Sequence, residues 1–209
     1  FIVDNSKFKS YISKLRRRGV KKVVNVPRGK NSRQALANAS ERIRKKAVDE
    51  GYDFILFIET DLLPQKDIIK TLLEDFDILI ESKNGMETEP VVGATYEIGL
   101  HGSKKVPRRP CLYGFDEKNK GLKLLPPEEG YNMLNTGLQN VTAAGLGCTL
   151  IPRSVFTDIK FRHDDDYSLH PDMFFYMDLW NKRPRVYTFA DTDILVPHYN
   201  QNWTVVKDY

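Results

Sequence analysis

Short apolar runs alternate with stretches of helical periodicity over residues 1–80. Residues 1–3 and 22–26 have the composition of β-strands, and residues 54–58 are apolar at every position, as in a strand buried on both faces. Between these runs, apolar side chains recur at helical spacing, at Phe8, Tyr11, Ile12 and Leu15 and again at Ala35, Leu36, Ala39, Ile43 and Ala47. Pro64 opens a third helical stretch. This alternation predicts a doubly wound α/β layer around a mostly parallel sheet.

The second half of the chain has a less regular pattern. Residues 91–96 favour a strand, whereas residues 101–140 are rich in Pro, Gly, Lys and Asn and predict a long surface excursion. In the small, apolar stretch 141–151, Gly145 and Gly147 permit close approach of the backbone. Pro171 fits the first turn of a helix, and 186–189 and 194–196 favour the last strands. With no internal repeat or low-complexity linker, residues 1–209 are expected to form one domain.

Composition narrows the class of protein. A chain of 209 residues with 41% hydrophobic and 29% charged residues can bury a core of its own, and it has no apolar run long enough for a membrane span. Its net charge of +4 comes partly from basic clusters at 14–22 and 104–109, which we interpret as solvated faces rather than a nucleic-acid site. Cys111 and Cys148 indicate reduced thiols in a cytoplasmic protein. Because the chain opens inside a predicted strand and without methionine, we expect that upstream residues are missing.

Two acids follow the most apolar strand. Glu59 and Asp61 flank Thr60 at its carboxyl end, which is where ligands bind in open α/β sheets. Side chains two positions apart on a strand share a face, and Mg²⁺ or Mn²⁺ is commonly held by one or two carboxylates together with substrate phosphates. The spacing alone leaves two interpretations open, a metal site or ordinary turn acids before the helix at Pro64.

The order of several motifs resembles a known family. A strand ending in Asp4-Asn5-Ser6 is followed by the Ala- and Asn-rich stretch 32–39 and by the strand 51–61 that ends in Glu59-Thr60-Asp61. The glycine-rich segment 145–153, then 170–175 and 193–198, complete the order. This succession resembles family-two-like glycosyltransferases of the GT-A fold, whose corresponding motif is Asp-x-Asp. The chain departs from that pattern in its Glu-x-Asp motif, in Pro171, and in the absence of the family's opening strand before Phe1.

The resemblance implies a fold, a reaction and a cofactor. It implies a Rossmann-like mixed, mostly parallel sheet flanked by helices, with residues 1–100 as the nucleotide- and metal-binding half and 101–209 as the acceptor-binding half. It further implies transfer of a sugar from a nucleotide diphosphate-sugar donor to a glycan or other hydroxyl acceptor, with Mn²⁺ or Mg²⁺ as cofactor. It does not identify the sugar, the nucleotide or the acceptor.

The resemblance also implies roles for individual residues. The residues expected to contact the nucleotide sugar are Asp4, Asn5, Arg33, Glu59, Gly145 and Gly147. The metal ligands would be Glu59, Asp61 and His198, and Asp172 would be the general base of an inverting transfer.

Alternatives remain for both the residues and the reaction. Asp164, Asp165 and Asp166 are rivals for the base, and Trp203 is a candidate for stacking on a sugar. A sugar-phosphate nucleotidyltransferase and a non-catalytic sugar- or nucleotide-binding module are the alternative functions.

Overall fold

The computed structural model describes residues 1–4, 9–27, 29–82, 89–99, 107–118, 121–166 and 169–199. Asn5 and Trp203, two of the residues singled out in the sequence, lie outside the described residues.

The first half of the chain alternates strands with helices, as its apolar pattern predicts. Its elements are β1 (Ile2–Asp4), α1 (Lys9–Arg17), β2 (Val23–Asn25), α2 (Ser32–Asp49), β3 (Phe54–Ile58) and α3 (Ile68–Glu81). The second half adds β4 (Val91–Ile98), β5 (Arg109–Pro110), β6 (Leu112–Asp116), β7 (Gly121–Leu124), α4 (Pro127–Asn132), β8 (Leu138–Val141), β9 (Ala143–Ala144), β10 (Cys148–Pro152), α5 (Arg153–Phe156), α6 (Pro171–Lys182) and β11 (Thr188–Val196).

The central sheet has the strand order β3-β10-β4-β11-β8, with β5 paired to β4. The mixed α/β class is confirmed, but the mostly parallel sheet is wrong for the described strands. Only β4 with β11, and β1 with β2 in a separate two-stranded sheet, run parallel. The reason is β10, which inserts antiparallel between β3 and β4. This strand comes from the small apolar stretch 141–151, whose pairing partners no local pattern reveals.

The predicted surface excursion at 101–140 is also partly wrong. Its described residues form β6 and β7, which join β9 in a three-stranded sheet, together with α4. Leu112 is completely buried there. Strands of only a few residues do not show enough alternation to be recognised among so many Pro and Gly residues.

Two apolar clusters cover the central sheet. One packs α5 and α6 against it through Phe156, Phe175 and Leu179, and the other packs α3 against it through Leu72 and Phe76. The consecutive residues Val91 and Val92 of β4 belong to different clusters, so both faces of that strand are covered. Among the described residues, no helix combines the length and the apolar character that crossing a membrane requires.

Candidate active site

A cavity of about 600 Å³ opens beside β1, α1, α2 and β3. Four of the residues that the resemblance implicates line it, namely Asp4, Glu59, Asp61 and Asp172. Its other walls are largely apolar and come mainly from these same elements, among them Tyr11, Leu15, Leu36, Ala39, Ile43 and Phe57. The cavity therefore combines an acidic cluster with an apolar surface suited to a planar ring.

Asp61 and His198 meet although they are far apart in the sequence. The segment after β3 and the segment after β11 are joined by backbone hydrogen bonds, from Leu63 N to Pro197 O at 2.9 Å and from Tyr199 N to Asp61 O at 2.7 Å. This pairing brings His198 Nε2 to 3.2 Å from Asp61 Oδ2. Asp61 and His198, on which the metal hypothesis depends, therefore lie within hydrogen-bonding distance of each other.

The other ring nitrogen of His198 fixes the state of the imidazole. His198 Nδ1 lies 2.6 Å from the backbone oxygen of Glu97 at the end of β4. A carbonyl oxygen can only accept, so Nδ1 must carry a proton. In the neutral ring, Nε2 then presents a lone pair to the Asp61 carboxylate, and two acceptors this close require a proton or a cation between them.

The pKa values follow from this geometry. The hydrogen bond to Asp61 raises the pKa of His198, with further contributions from the Glu97 backbone oxygen and the negative charges of Asp61 and Glu59, which outweigh burial. The same hydrogen bond with His198 lowers the pKa of Asp61. An imidazolium therefore satisfies Asp61 when no other cation does, and a metal ion would replace that proton.

Glu97 itself is firmly held. Its side chain is buried, its carboxylate forms an ion pair with Arg108, and it accepts a hydrogen bond from the Tyr131 hydroxyl on α4. His198 contacts the backbone oxygen of this same residue. The network that holds Glu97 therefore also supports the orientation of the imidazole.

Glu59 lies at the same end of the cavity. Its backbone N–H donates to Gly147 O at 2.8 Å, which ties the turn after β3 to the turn before β10. Burial, followed by the charges of Asp172 and Asp61, raises the pKa of Glu59 to about 7. Glu59 therefore shares a proton-sensitive acidic cluster with the other two acids.

Asp172 lies in the first turn of α6, where the helix dipole favours a carboxylate. It is 8% exposed, its Oδ2 accepts a hydrogen bond from Leu146 N at 3.1 Å, and its Oδ1 lies 3.3 Å from His170 Nδ1. Burial opposes protonation of His170, but the hydrogen bond and charge of Asp172 outweigh it and raise the pKa of that imidazole. The sequence placed His170 in a motif without a role, and the signal for its role was its spacing of two residues from Asp172.

Gly145 and Gly147 permit a close approach, as expected from the sequence, but the groups that approach them are side chains of the protein itself. A Cβ atom on Gly145 would lie 2.1 Å from Tyr96 Oη, and one on Gly147 would lie 2.7 Å from Leu62 Cδ1. The Gly147 N–H also donates to Tyr96 Oη at 3.2 Å. We therefore assign Gly145 and Gly147 a packing role, while Leu146 between them lines the cavity.

The remaining candidates divide by location. Asp4 is buried in the cavity wall, where its Oδ2 accepts a hydrogen bond from Asn25 Nδ2 at 3.2 Å. Arg33 is exposed in the first turn of α2 and does not line the cavity, although its charge acts on His170.

The rival acids of the loop before α6 are occupied elsewhere. Asp165 pairs with Lys30 Nζ and with His163 Nε2, each at 3.0 Å. Asp164 Oδ1 accepts the backbone N–H of Asp166 at 3.0 Å. None of these three acids lines the cavity, whereas Asp172 does.

Within the described ranges, no three His, Cys, Asp or Glu side chains form a group able to hold a metal ion by themselves. The residues nevertheless fit an ion bound together with a substrate. Asp61 offers a carboxylate oxygen and His198 a lone pair on Nε2, and Mg²⁺ or Mn²⁺ commonly takes its other ligands from phosphates and water. Glu59, the third ligand that the resemblance implies, makes no hydrogen bond to Asp61 or His198 among the described residues, but its charge acts with that of Asp61 and on His198.

One solved structure with the same fold is A197 from STIV. It aligns with a TM-score of 0.54 at 17% sequence identity, over 100% of this chain and 93% of that chain. At this identity the likeness concerns the fold alone. No protein-family model and no curated protein matches the chain.

Proposed function

We propose that this protein is a metal-dependent glycosyltransferase of the GT-A fold, similar to family two. It would transfer a sugar from a nucleotide diphosphate-sugar to an acceptor hydroxyl. The observation that carries the proposal is the 3.2 Å contact between Asp61 and His198, whose other ring nitrogen is held by the Glu97 backbone oxygen, beside a cavity that also contains Asp172.

The donor would occupy the cavity in two parts. Its diphosphate would lie at the acidic end, where Asp61 and His198 would hold the metal ion. The ion would supply positive charge to neutralise the diphosphate as it leaves. The nucleoside would lie against the apolar wall formed by α1, α2 and Phe57, with Asp4 as a hydrogen-bond acceptor.

Asp172 would receive the proton of the acceptor. As the acceptor oxygen forms its bond to the anomeric carbon, the bond from that carbon to the diphosphate breaks, and the hydroxyl proton moves to Asp172 Oδ1. The Leu146 N–H fixes the other oxygen of the carboxylate, and His170 stabilises its negative charge before the proton arrives. Attack opposite the leaving group would invert the anomeric configuration.

The compartment is proposed from the thiols. Cys111 and Cys148 are both free and buried, which is consistent with a reducing environment such as the cytoplasm.

Calorimetry with nucleoside diphosphates and nucleotide sugars tests the proposal. We expect binding of a nucleotide to require Mn²⁺, and Asp61→Asn to weaken it by on the order of a hundredfold, because a direct ligand is worth at least as much as an outer-sphere partner. Asp165→Asn, which removes an acid outside the cavity, should bind like the wild type. Metal-independent binding would instead support a non-catalytic binding module, and release of pyrophosphate would support a nucleotidyltransferase.

A further inference from the structure

The buried face of α3 contains a carboxylate. Leu72, Phe76 and Leu79 pack against the sheet, and Asp75 shares their face because residues three and four apart on a helix are neighbours. Asp75 is 8% exposed, and its Oδ2 is buried with no hydrogen-bond partner among the described residues. An ionised carboxylate is poorly tolerated in such a place.

A second buried acid faces it from the sheet. Asp191 of β11 is 6% exposed, and it shares a face of the strand with Phe189, which lies in the same apolar cluster as the buried face of α3. The side chain of Asp191 is therefore directed at α3, and its charge acts on Asp75. Two neighbouring carboxyl groups in a buried place avoid repulsion when one of them keeps its proton. Asp191 Oδ1 also accepts the backbone N–H of Asp193 at 2.9 Å.

The charges that act on Asp75 are negative. The other charged groups that act on Asp75 are Glu74 of α3 and Asp193 of β11, both acidic. The strands that flank β11 place Ala94 of β4 and Leu138 of β8 opposite Asp191. Burial and the charge of Asp191 raise the pKa of Asp75 to about 7.

The pair lies where β11 changes register. Asp191 pairs with Ala94, but the next residue of β11 paired to β4 is Leu195, opposite Thr95, so the strand bulges between them. Beyond the bulge, Val196 pairs with Tyr96 and leads through Pro197 to His198. A contact from α3 at Asp191 therefore holds the strand at the start of the bulge.

We propose that Asp75 and Asp191 share one proton, and that this shared proton fastens α3 to the bulged strand β11 as a pH-sensitive latch. Two neighbouring buried carboxylates repel each other once the proton between them is lost. The latch is closed in acid and open at alkaline pH. It is independent of the glycosyltransferase proposal, because neither acid lines the cavity.

The sign of the stability effect follows from proton linkage. The raised pKa means that the folded state keeps a proton that the unfolded chain has released above pH about 4. The latch therefore contributes most to the free energy of unfolding at acidic pH. Its contribution declines as the pH rises from about 4 to about 7, and it is constant above that range.

Thermal unfolding between pH 4.5 and 8.5 tests the latch with three proteins. Asp75→Asn provides an amide that donates to Asp191 at every pH, so the melting temperature of the wild type should fall relative to this variant up to neutral pH and run parallel to it above. Asp77→Asn removes an exposed acid two residues away on the same helix and should follow the wild type. Parallel curves for the wild type and Asp75→Asn over the whole range would overturn the proposal.

A second measurement needs no variant. Carboxyl carbon NMR should show Asp75 with a titration midpoint near neutral pH. A midpoint below 5 for Asp75 would contradict a shared proton, even if Asp75→Asn failed to fold.

Discussion

Two clusters of carboxylates in the described part of the molecule differ in what surrounds them. On the side of α2 and α6, Glu59, Asp61 and Asp172 line an open cavity and are met by His170 and His198. On the side of α3, Asp75 and Asp191 are enclosed, and the further groups that act on Asp75 are acids.

The difference shows how neighbours decide the chemistry of one kind of side chain. In the open cluster the histidines provide positive charge that a metal ion can replace, so a carboxylate such as Asp61 can stay ionised and accept a ligand. In the enclosed pair both side chains are buried, and a proton is the smallest cation that relieves the repulsion.

Removing the base of the open cluster should have the largest effect. For Asp172→Asn we expect turnover to fall by about 10²- to 10⁴-fold, because the amide cannot take the acceptor proton. Donor affinity should stay close to that of the wild type, since Asp172 is not one of the residues that would hold the metal ion. Steady-state transfer assays and donor titrations measure the two effects, and unchanged turnover would reassign the base.

Replacing a histidine of the open cluster removes positive charge from beside its acids, as in the enclosed pair. For His198→Gln we expect Mn²⁺ affinity in the presence of a nucleoside diphosphate to fall by at least about 10- to 100-fold, because the Nε2 ligand is lost. Electron paramagnetic resonance of Mn²⁺ measures the bound fraction. His163→Gln changes a histidine outside the cavity and serves as the control. An equal loss of Mn²⁺ affinity in both variants would show that His198 has no special role in binding the ion.

The two clusters should also respond in opposite ways to pH. Metal binding favours ionised acids, so Mn²⁺ affinity in the open cluster should rise by about tenfold between pH 6 and 8 as Glu59, with its pKa raised to about 7 by burial and by Asp172 and Asp61, loses its proton. The enclosed pair should lose stability as the pH rises toward the same value. Glu59→Gln should flatten the Mn²⁺ titration without abolishing binding. A profile that stays as steep in this variant would assign the pH dependence to His198 alone.

Weakening the Glu97 network that supports His198 should have the smallest effect. Tyr131→Phe removes one hydrogen bond to the Glu97 carboxylate, and we expect a loss of about 1 kcal/mol in the free energy of unfolding. Mn²⁺ affinity should fall by less than in His198→Gln, because the backbone oxygen of Glu97 remains in place. Chemical denaturation and Mn²⁺ titration of the same samples separate the two effects. A loss of affinity as large as that of His198→Gln would mean that Tyr131 acts on the ion directly.

Local patterns in the sequence were enough to predict several elements. The apolar run at 54–58 is β3, the helical spacing after residue 32 is α2, and Pro171 opens α6. The sequence also placed Glu59 and Asp61 directly after β3. These features depend on neighbours within a few positions, and periodicity records such neighbours.

Some site features were visible in the sequence but were not used. An acid at position 75 interrupts the apolar face formed by Leu72, Phe76 and Leu79, and that interruption marks a buried carboxylate. His170 stands two residues before Asp172 and marks a pair in the same way.

The tertiary structure alone decided how distant segments meet. It placed β10 antiparallel between β3 and β4, which made the sheet mixed, and it gave Gly145 and Gly147 a neighbour in Tyr96. It also joined the Glu97 backbone oxygen to His198, which turns a lone histidine into a candidate ligand. Nearby side chains fixed which segments of the first half form strands and helices, and local patterns therefore predicted those segments. The partners across the sheet and around the cavity were settled by packing between residues far apart in the chain, which local patterns do not record.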